Sequence, residues 1–202
     1  MNKNLFLTLS AFLFLFPLSG KATGTYRPET SVAGFIQLSG SGRQVYDFNP
    51  GWRFFKGDIS GAETVNFDDR SWEVVSTPHT VELMPAEASG CRNYQGPVWY
   101  RKHFIVPAET KGQRVSIHFE AAMGKQILYL NGKRIQEHIG GYLPFTLDLT
   151  TYGVQAGDSC LLAVFVDNSD DKSYPPGKRQ YTLDFTYHGG IYRDVWMIAK
   201  SP

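Results

Sequence analysis

The run Asp167-Asn168-Ser169-Asp170-Asp171 is the densest group of side-chain oxygens in the chain, and three kinds of chemistry compete for it. Oxygens at this spacing suit calcium, but the bidentate Glu and turn Gly of the usual twelve-residue loop are missing. Asp, Asn and Ser also favour solvated turns, where they bond the local backbone. The third reading is hydroxyl recognition: carboxylates accept hydrogen bonds from a sugar while an aromatic face such as Tyr174 covers its C–H surface. Elsewhere the signals are weaker. His79, His103, His118, His138 and His188 are scattered with no H-x-x-x-H or C-x-x-C spacing, so no metal is expected. Neither a G-x-S-x-G elbow nor a Cys-His signature occurs, which argues against a nucleophilic hydrolase. A self-sufficient glycosidase needs two carboxylates facing each other about 5 to 10 Å apart, and spacing in sequence cannot reveal such a pair among 19 acids. No glycine loop opens a helix to hold a phosphate, so no cofactor is expected.

These residues have to be positioned by strands. In Arg114 to Glu120, Val115, Ile117 and Phe119 alternate with polar neighbours, which puts one face in a core and one in water. His103 and His118 fall on polar phases of such alternations and are expected to be solvated or hydrogen-bonded. Asn131-Gly132, flanked by two such runs, predicts a two-residue hairpin, because that turn requires positive φ at both positions. Trp52 to Phe55, Val98 to Val106, Phe145 to Leu149, Leu161 to Val166 and Val195 to Ala199 are further strands, and no window of ten residues keeps a helical period. Many short antiparallel strands predict an all-β fold, two sheets packed face to face as a jelly-roll sandwich. Trp52, Trp72, Trp99 and Trp196 lie in or beside strands, and at least three are expected in the core. The acid run follows the Leu161 to Val166 strand directly and belongs at the rim.

Composition fits that picture. The chain has 202 residues, 14% aromatic, with 20 Gly and 11 Pro, and a formal net charge of +1. No bulk field recruits nucleic acid or an anionic membrane, and a neutral partner such as a carbohydrate suits the balance. Lys3, the apolar stretch from Leu5 to Leu18 and the small residues around Lys21 are expected to form a signal peptide over residues 1–22, since that stretch falls short of the roughly 20 residues a membrane helix requires. The product is then exported, periplasmic or secreted, with no membrane association after signal removal. Residues 23–44 are rich in Gly, Ser and Thr and are expected as a linker; residues 45–200 form one domain. In an oxidising compartment Cys91 and Cys160 suit either a disulfide or a pair of buried free thiols.

Seven strings, FNPGWRF from Phe48, DDRSW ending at Trp72, PHT at Pro78, VWYRKHF from Val98, LNGKRI from Leu130, GGYLPF from Gly140 and YHGGIYRDVWMI from Tyr187, occur in an order that resembles the sugar-binding domain opening the family 2 glycoside hydrolases, the β-galactosidase and β-glucuronidase group. The resemblance spans about residues 43 to 200 and implies a galactose-binding-like jelly roll that helps to shape a sugar pocket, with β-galactosidase specificity ahead of the others. It implies retaining hydrolysis of β-glycosides whose catalytic Glu pair lies in a later (β/α) barrel, so this chain is expected to hold no catalytic residue and to partner a barrel outside it. By the same resemblance Asp171 is the carboxylate that reaches sugar hydroxyls. Gln95 stands where the family places an Asn contact, and Tyr174 follows Asp171 closely enough to supply the aromatic face. Gly189 to Val195 reads as a structural turn, with Arg193 and Asp194 as an ion pair or loop brace.

Overall fold

A computed structural model describes residues 25–31, 40–84 and 93–202. Its strands are β1 (Glu29–Thr30), β2 (Gln44–Asp47), β3 (Trp52–Lys56), β4 (Glu73–Val75), β5 (Pro97–Ile105), β6 (Arg114–Phe119), β7 (Lys125–Leu130), β8 (Lys133–Ile139), β9 (Phe145–Asp148), β10 (Ser159–Asp167) and β11 (Val195–Lys200). Among the described residues the helical turns are three short 3-10 segments. One sheet runs β1-β2-β11-β6-β9 and the other β4-β3-β5-β10-β7-β8, and every pairing between strands is antiparallel.

The inner faces meet in a core containing Tyr46, Trp52, Tyr100, Phe119, Leu147, Val164 and Met197, all fully buried. β6 alternates as its sequence predicts, with Val115, Ile117 and Phe119 inward. The Asn131-Gly132 hairpin joins β7 to β8 with φ of 50° and 83°, the left-handed pair that such a loop demands. Asn131 also holds the neighbouring strand, its Oδ1 accepting Leu161 N at 2.8 Å.

β5 and β10 are buried almost end to end on both faces, because the segment after β3 folds back over the outer face of their sheet. There Trp72 and Trp99 pack with Ala62 and Ala163, flanked by Phe55, Phe67 and Phe165. The cover is pinned by Arg101, wholly buried, which donates through Nε to Asp69 Oδ2 at 2.8 Å and through its other nitrogens to the carbonyls of Ala62, Thr64 and Phe67. His103 joins the same carboxylate at 3.0 Å, the hydrogen-bonded role expected of it. His118 pairs with Thr146. All four tryptophans are buried, and the indole N–H groups of Trp52, Trp99 and Trp196 reach Phe48 O, Asp58 and Glu120.

Residues 25–31 fall within the span expected as a linker, yet they dock on the sandwich. β1 pairs with β2, Tyr26 exchanges backbone hydrogen bonds with His103 and Ile105, and its ring packs against the core. The sequence signal was absent because one aromatic and two strand residues suffice when a sheet edge is waiting to be paired. β4 was equally silent at three residues. The signal peptide expected at residues 1–22 lies outside the described residues, as does Cys91; Cys160 is a buried free thiol.

Removing Arg101 strands a buried carboxylate and three carbonyls. Arg101→Ala is expected to cost roughly 3–5 kcal/mol in urea unfolding. Burial pushes the Asp69 carboxyl up, but the hydrogen bonds from His103 and Arg101 outweigh it and hold the group below its ordinary value of 3.8. Its contribution is therefore complete above the ordinary value and lost as pH falls towards the lower native one. Unfolding midpoints measured in that acid range should show this pH slope reduced in Asp69→Asn.

Candidate functional site

β10 runs antiparallel to β5, so Asp167 at its end lies opposite Pro97 at the start of β5. From there residues 168–194 make a long excursion before β11 re-enters the other sheet, and they meet residues 93–96 coming into β5. The junction is made by buried amides. Asn168 donates Nδ2–H to Tyr94 O at 2.8 Å and accepts Gly96 N–H at 3.0 Å. Asn93 donates to Tyr187 O at 2.8 Å, while its own N–H reaches Gln180 Oε1 at 2.9 Å. Side-chain amides suit this task because each offers both a donor and an acceptor to irregular backbone that has no ladder partner.

On this frame sits a polar corner. Gln95 donates through Nε2 to Asp170 Oδ1 at 2.6 Å and to the Tyr187 hydroxyl at 3.0 Å, and Gln180 N–H caps the same Asp170 oxygen at 3.0 Å. Tyr187 is buried, which pushes its hydroxyl pKa up, with Asp170 adding to the effect. Asp170, Asp171, Tyr174 and Tyr187 border one small depression together with Met123 and Lys178.

The structure thus gathers the three residues predicted from sequence at one end of the sandwich, with different partners. Gln95 pairs with Asp170, not with Asp171. Asp171 is exposed and accepts both the N–H and the hydroxyl of Ser173, at 2.7 and 2.6 Å, which lowers its carboxyl pKa. Its contacts are those of a solvated turn, yet the carboxylate remains open to a ligand. Tyr174 is half-buried, and burial pushes its hydroxyl up to about 12, with Asp171 and Asp167 contributing. Among the described residues no group of three or more His, Cys, Asp or Glu side chains is arranged to hold a metal ion. Asp170 belongs to the acid run singled out in the sequence, but its pairing with Gln95 was not legible there, and Gln180 and Tyr187 were not named as site residues. Tyr187 opens one of the seven strings, but nothing in spacing pairs it with Gln95.

The depression encloses only about 10 Å3, room for one water and not for a sugar ring. A larger cleft of about 720 Å3 lies at the opposite end, between Lys111 and Arg114 on one side and Thr150 and Ala156 on the other, and holds none of the predicted residues. Size and chemistry therefore point to different places: the cleft has the volume, and the corner has the converging polar groups. At the back of the corner Gly190 has φ of +90°, and a Cβ there would sit 2.3 Å from the Tyr100 hydroxyl, so this glycine is structural as expected. Asp194 braces the turn through Asn49 at 3.0 Å, while Arg193 lies over the Tyr192 ring.

Residues 53–202 match the family described as glycosyl hydrolases family 2, sugar binding domain. The chain is similar to a β-galactosidase of Thermoanaerobacter pseudethanolicus, 39% identical over 156 residues that cover 77% of this chain and 21% of that protein. It is also similar to a β-glucuronidase of Formosa agariphila, 32% identical over 179 residues covering 82% and 18%. Among solved structures, Bacteroides uniformis β-glucuronidase 2 covalently bound to cyclophellitol-6-carboxylate aziridine superposes with a TM-score of 0.68 at 34% identity, covering 78% of this chain and 18% of that one. The chain spans about a fifth of the length of the curated relatives it matches.

Asn168 joins the two segments that form the corner. Asn168→Ala leaves the Gly96 N–H and the Tyr94 carbonyl without partners and should cost about 2–4 kcal/mol. Hydrogen exchange should quicken at Gly96 well before it quickens along β6.

Proposed function

This chain belongs to the sugar-binding domains of the family 2 glycosyl hydrolases, and from that premise we propose that it forms one wall of a β-glycoside pocket whose catalytic groups lie outside it. The observation that carries the reading is the convergence of Gln95, Asp170, Asp171, Tyr174 and Tyr187 at one end of the sandwich, around a space too small to enclose a ring. Carboxylate, amide and phenol are groups that bond sugar hydroxyls, and a half-buried tyrosine offers a face to sugar C–H surface. Asp171 supplies the open carboxylate, Gln95 the amide and Tyr174 the ring. A wall of this kind binds weakly by itself, because it buries only a fraction of the ligand.

Relatives include both galactosidases and glucuronidases, and we favour a galactoside, the substrate named for the T. pseudethanolicus relative. Export follows from the reading of residues 1–22 as a signal peptide, and places the protein where polymeric or conjugated glycosides are met.

A second reading has its own observation. Leu83 is 91% exposed and Leu143 71%, with Tyr142, Tyr181 and Phe185 also exposed. Large apolar groups left in water favour a docking role towards a catalytic domain or another subunit.

A titration of the chain with galactose, glucuronic acid and mannose, followed residue by residue by NMR, separates the two. Shifts clustered at Gln95 and Asp171, lost in Asp171→Ala, are the result expected of a sugar wall. No shift at millimolar sugar would leave docking as the function.

A further inference from the structure

Asp170 offers acceptors only, since an ionised carboxylate has no hydrogen to give. Its Oδ1 receives Gln95 Nε2 at 2.6 Å and Gln180 N at 3.0 Å. Gln95 must therefore turn its nitrogen inward. The second hydrogen of that nitrogen goes to the Tyr187 oxygen at 3.0 Å, so both amide hydrogens are occupied.

Two groups of this pair keep hydrogen-bonding capacity that the corner itself does not use. Gln95 Oε1 has no hydrogen-bond partner among the described residues, and it is an acceptor. The Tyr187 oxygen already accepts from Gln95, so its own hydrogen is the group it has to offer, and among the described residues no acceptor takes it. Because amide and phenol are joined by one hydrogen bond, acceptor and donor stand side by side. A hydroxyl, which gives one hydrogen and accepts another, complements such a pair. A carboxylate does not, because it meets the Gln95 carbonyl with like polarity and has Asp170 close behind.

Resting on the reading of this corner as a sugar wall, we propose that Gln95 Oε1 and the Tyr187 O–H together read one sugar hydroxyl, and that Asp170 is the positioning residue that sets their polarity. Asp170 acts through Gln95 and touches no ligand in this arrangement. Without it the carboxamide is free to turn over; its oxygen would then take the Tyr187 hydrogen, reversing donor and acceptor, so a hydroxyl oriented for the original arrangement loses its match.

The test uses methyl β-D-galactoside as probe and the side-chain amide resonances of Gln95 as reporter. In Asp170→Ala those resonances should move towards the positions of a free carboxamide, and affinity for the probe should fall about tenfold, the loss of one good hydrogen bond. Asp170→Asn keeps an acceptor oxygen for both donors and should bind within about threefold of the parent. Tyr187→Phe should also lose about tenfold, and combining it with Gln95→Leu should add little, because both act on one hydroxyl. Binding by Asp170→Ala within about twofold of the parent, with the Gln95 resonances moved, would overturn the positioning role. Fully additive losses in the double variant would overturn the shared hydroxyl. Should the parent show no shift with any sugar, the wall reading itself fails and the ligand half of the proposal with it. Unmoved Gln95 resonances in Asp170→Ala would overturn the polarity argument whatever the sugar does.

Discussion

Arg101 and Lys102 are consecutive residues at the middle of β5, and both are wholly buried. Because side chains alternate along a strand, they leave the sheet on opposite faces. A buried cationic group has to be met by carbonyls, carboxylates or aromatic faces, so each face of the sheet must carry its own cover. On the outer face the cover is the segment that brings Asp69 and three carbonyls to Arg101. On the inner face Lys102 donates to Pro50 O and lies 3.8, 4.6 and 5.2 Å from the rings of Tyr26, Phe48 and Trp52. Burial pushes its amine pKa well down, with Asp47 opposing. The docking of residues 25–31 follows from this, because the ring closest to Lys102 is that of Tyr26.

With β5 fixed on both sides, its first residues become a rigid post for everything at that end. Residues 93–96 enter β5 directly, and the excursion 168–194 leaves β10, its full-length partner, directly opposite. Neither segment has a strand to pair with. Buried amides satisfy their backbone groups instead, and those amides fix Gln95 and Tyr187 to hydrogen-bond precision. The candidate site is thus built from the segments that have least regular structure, held by the strands that have most. Close approach of backbone at Gly190 to the Tyr100 hydroxyl completes the join, since no side chain fits there.

The proposed sugar wall suits one part of a longer enzyme. It presents groups already oriented, at the end of a stiff sandwich, and encloses almost no volume of its own. Ligand affinity then depends on what faces it. The exposed Leu83 and Leu143 lie on irregular segments outside the strands, so the two proposed roles, docking and sugar contact, are compatible in one molecule.

Alternation and turn chemistry in the sequence by themselves determined the two-sheet architecture, the inward face of β6 and the Asn131-Gly132 hairpin, and strand context predicted the burial of the tryptophans. These are local properties: side-chain period and φ preference are set within a few residues, and the core follows from them. The ordered strings also identified the family, and the resemblance named Gln95, Asp171 and Tyr174, which lie together at one end of the fold. What tertiary structure decided is which neighbour each polar group finds. That Gln95 meets Asp170 instead of Asp171, that Tyr187 completes the corner from 92 residues away, that Arg101 and Lys102 are buried, and that Tyr26 caps the core depend on segments distant in sequence arriving at one place. A hydrogen bond is decided over a few tenths of an ångström, and no residue spacing along an irregular excursion carries that information.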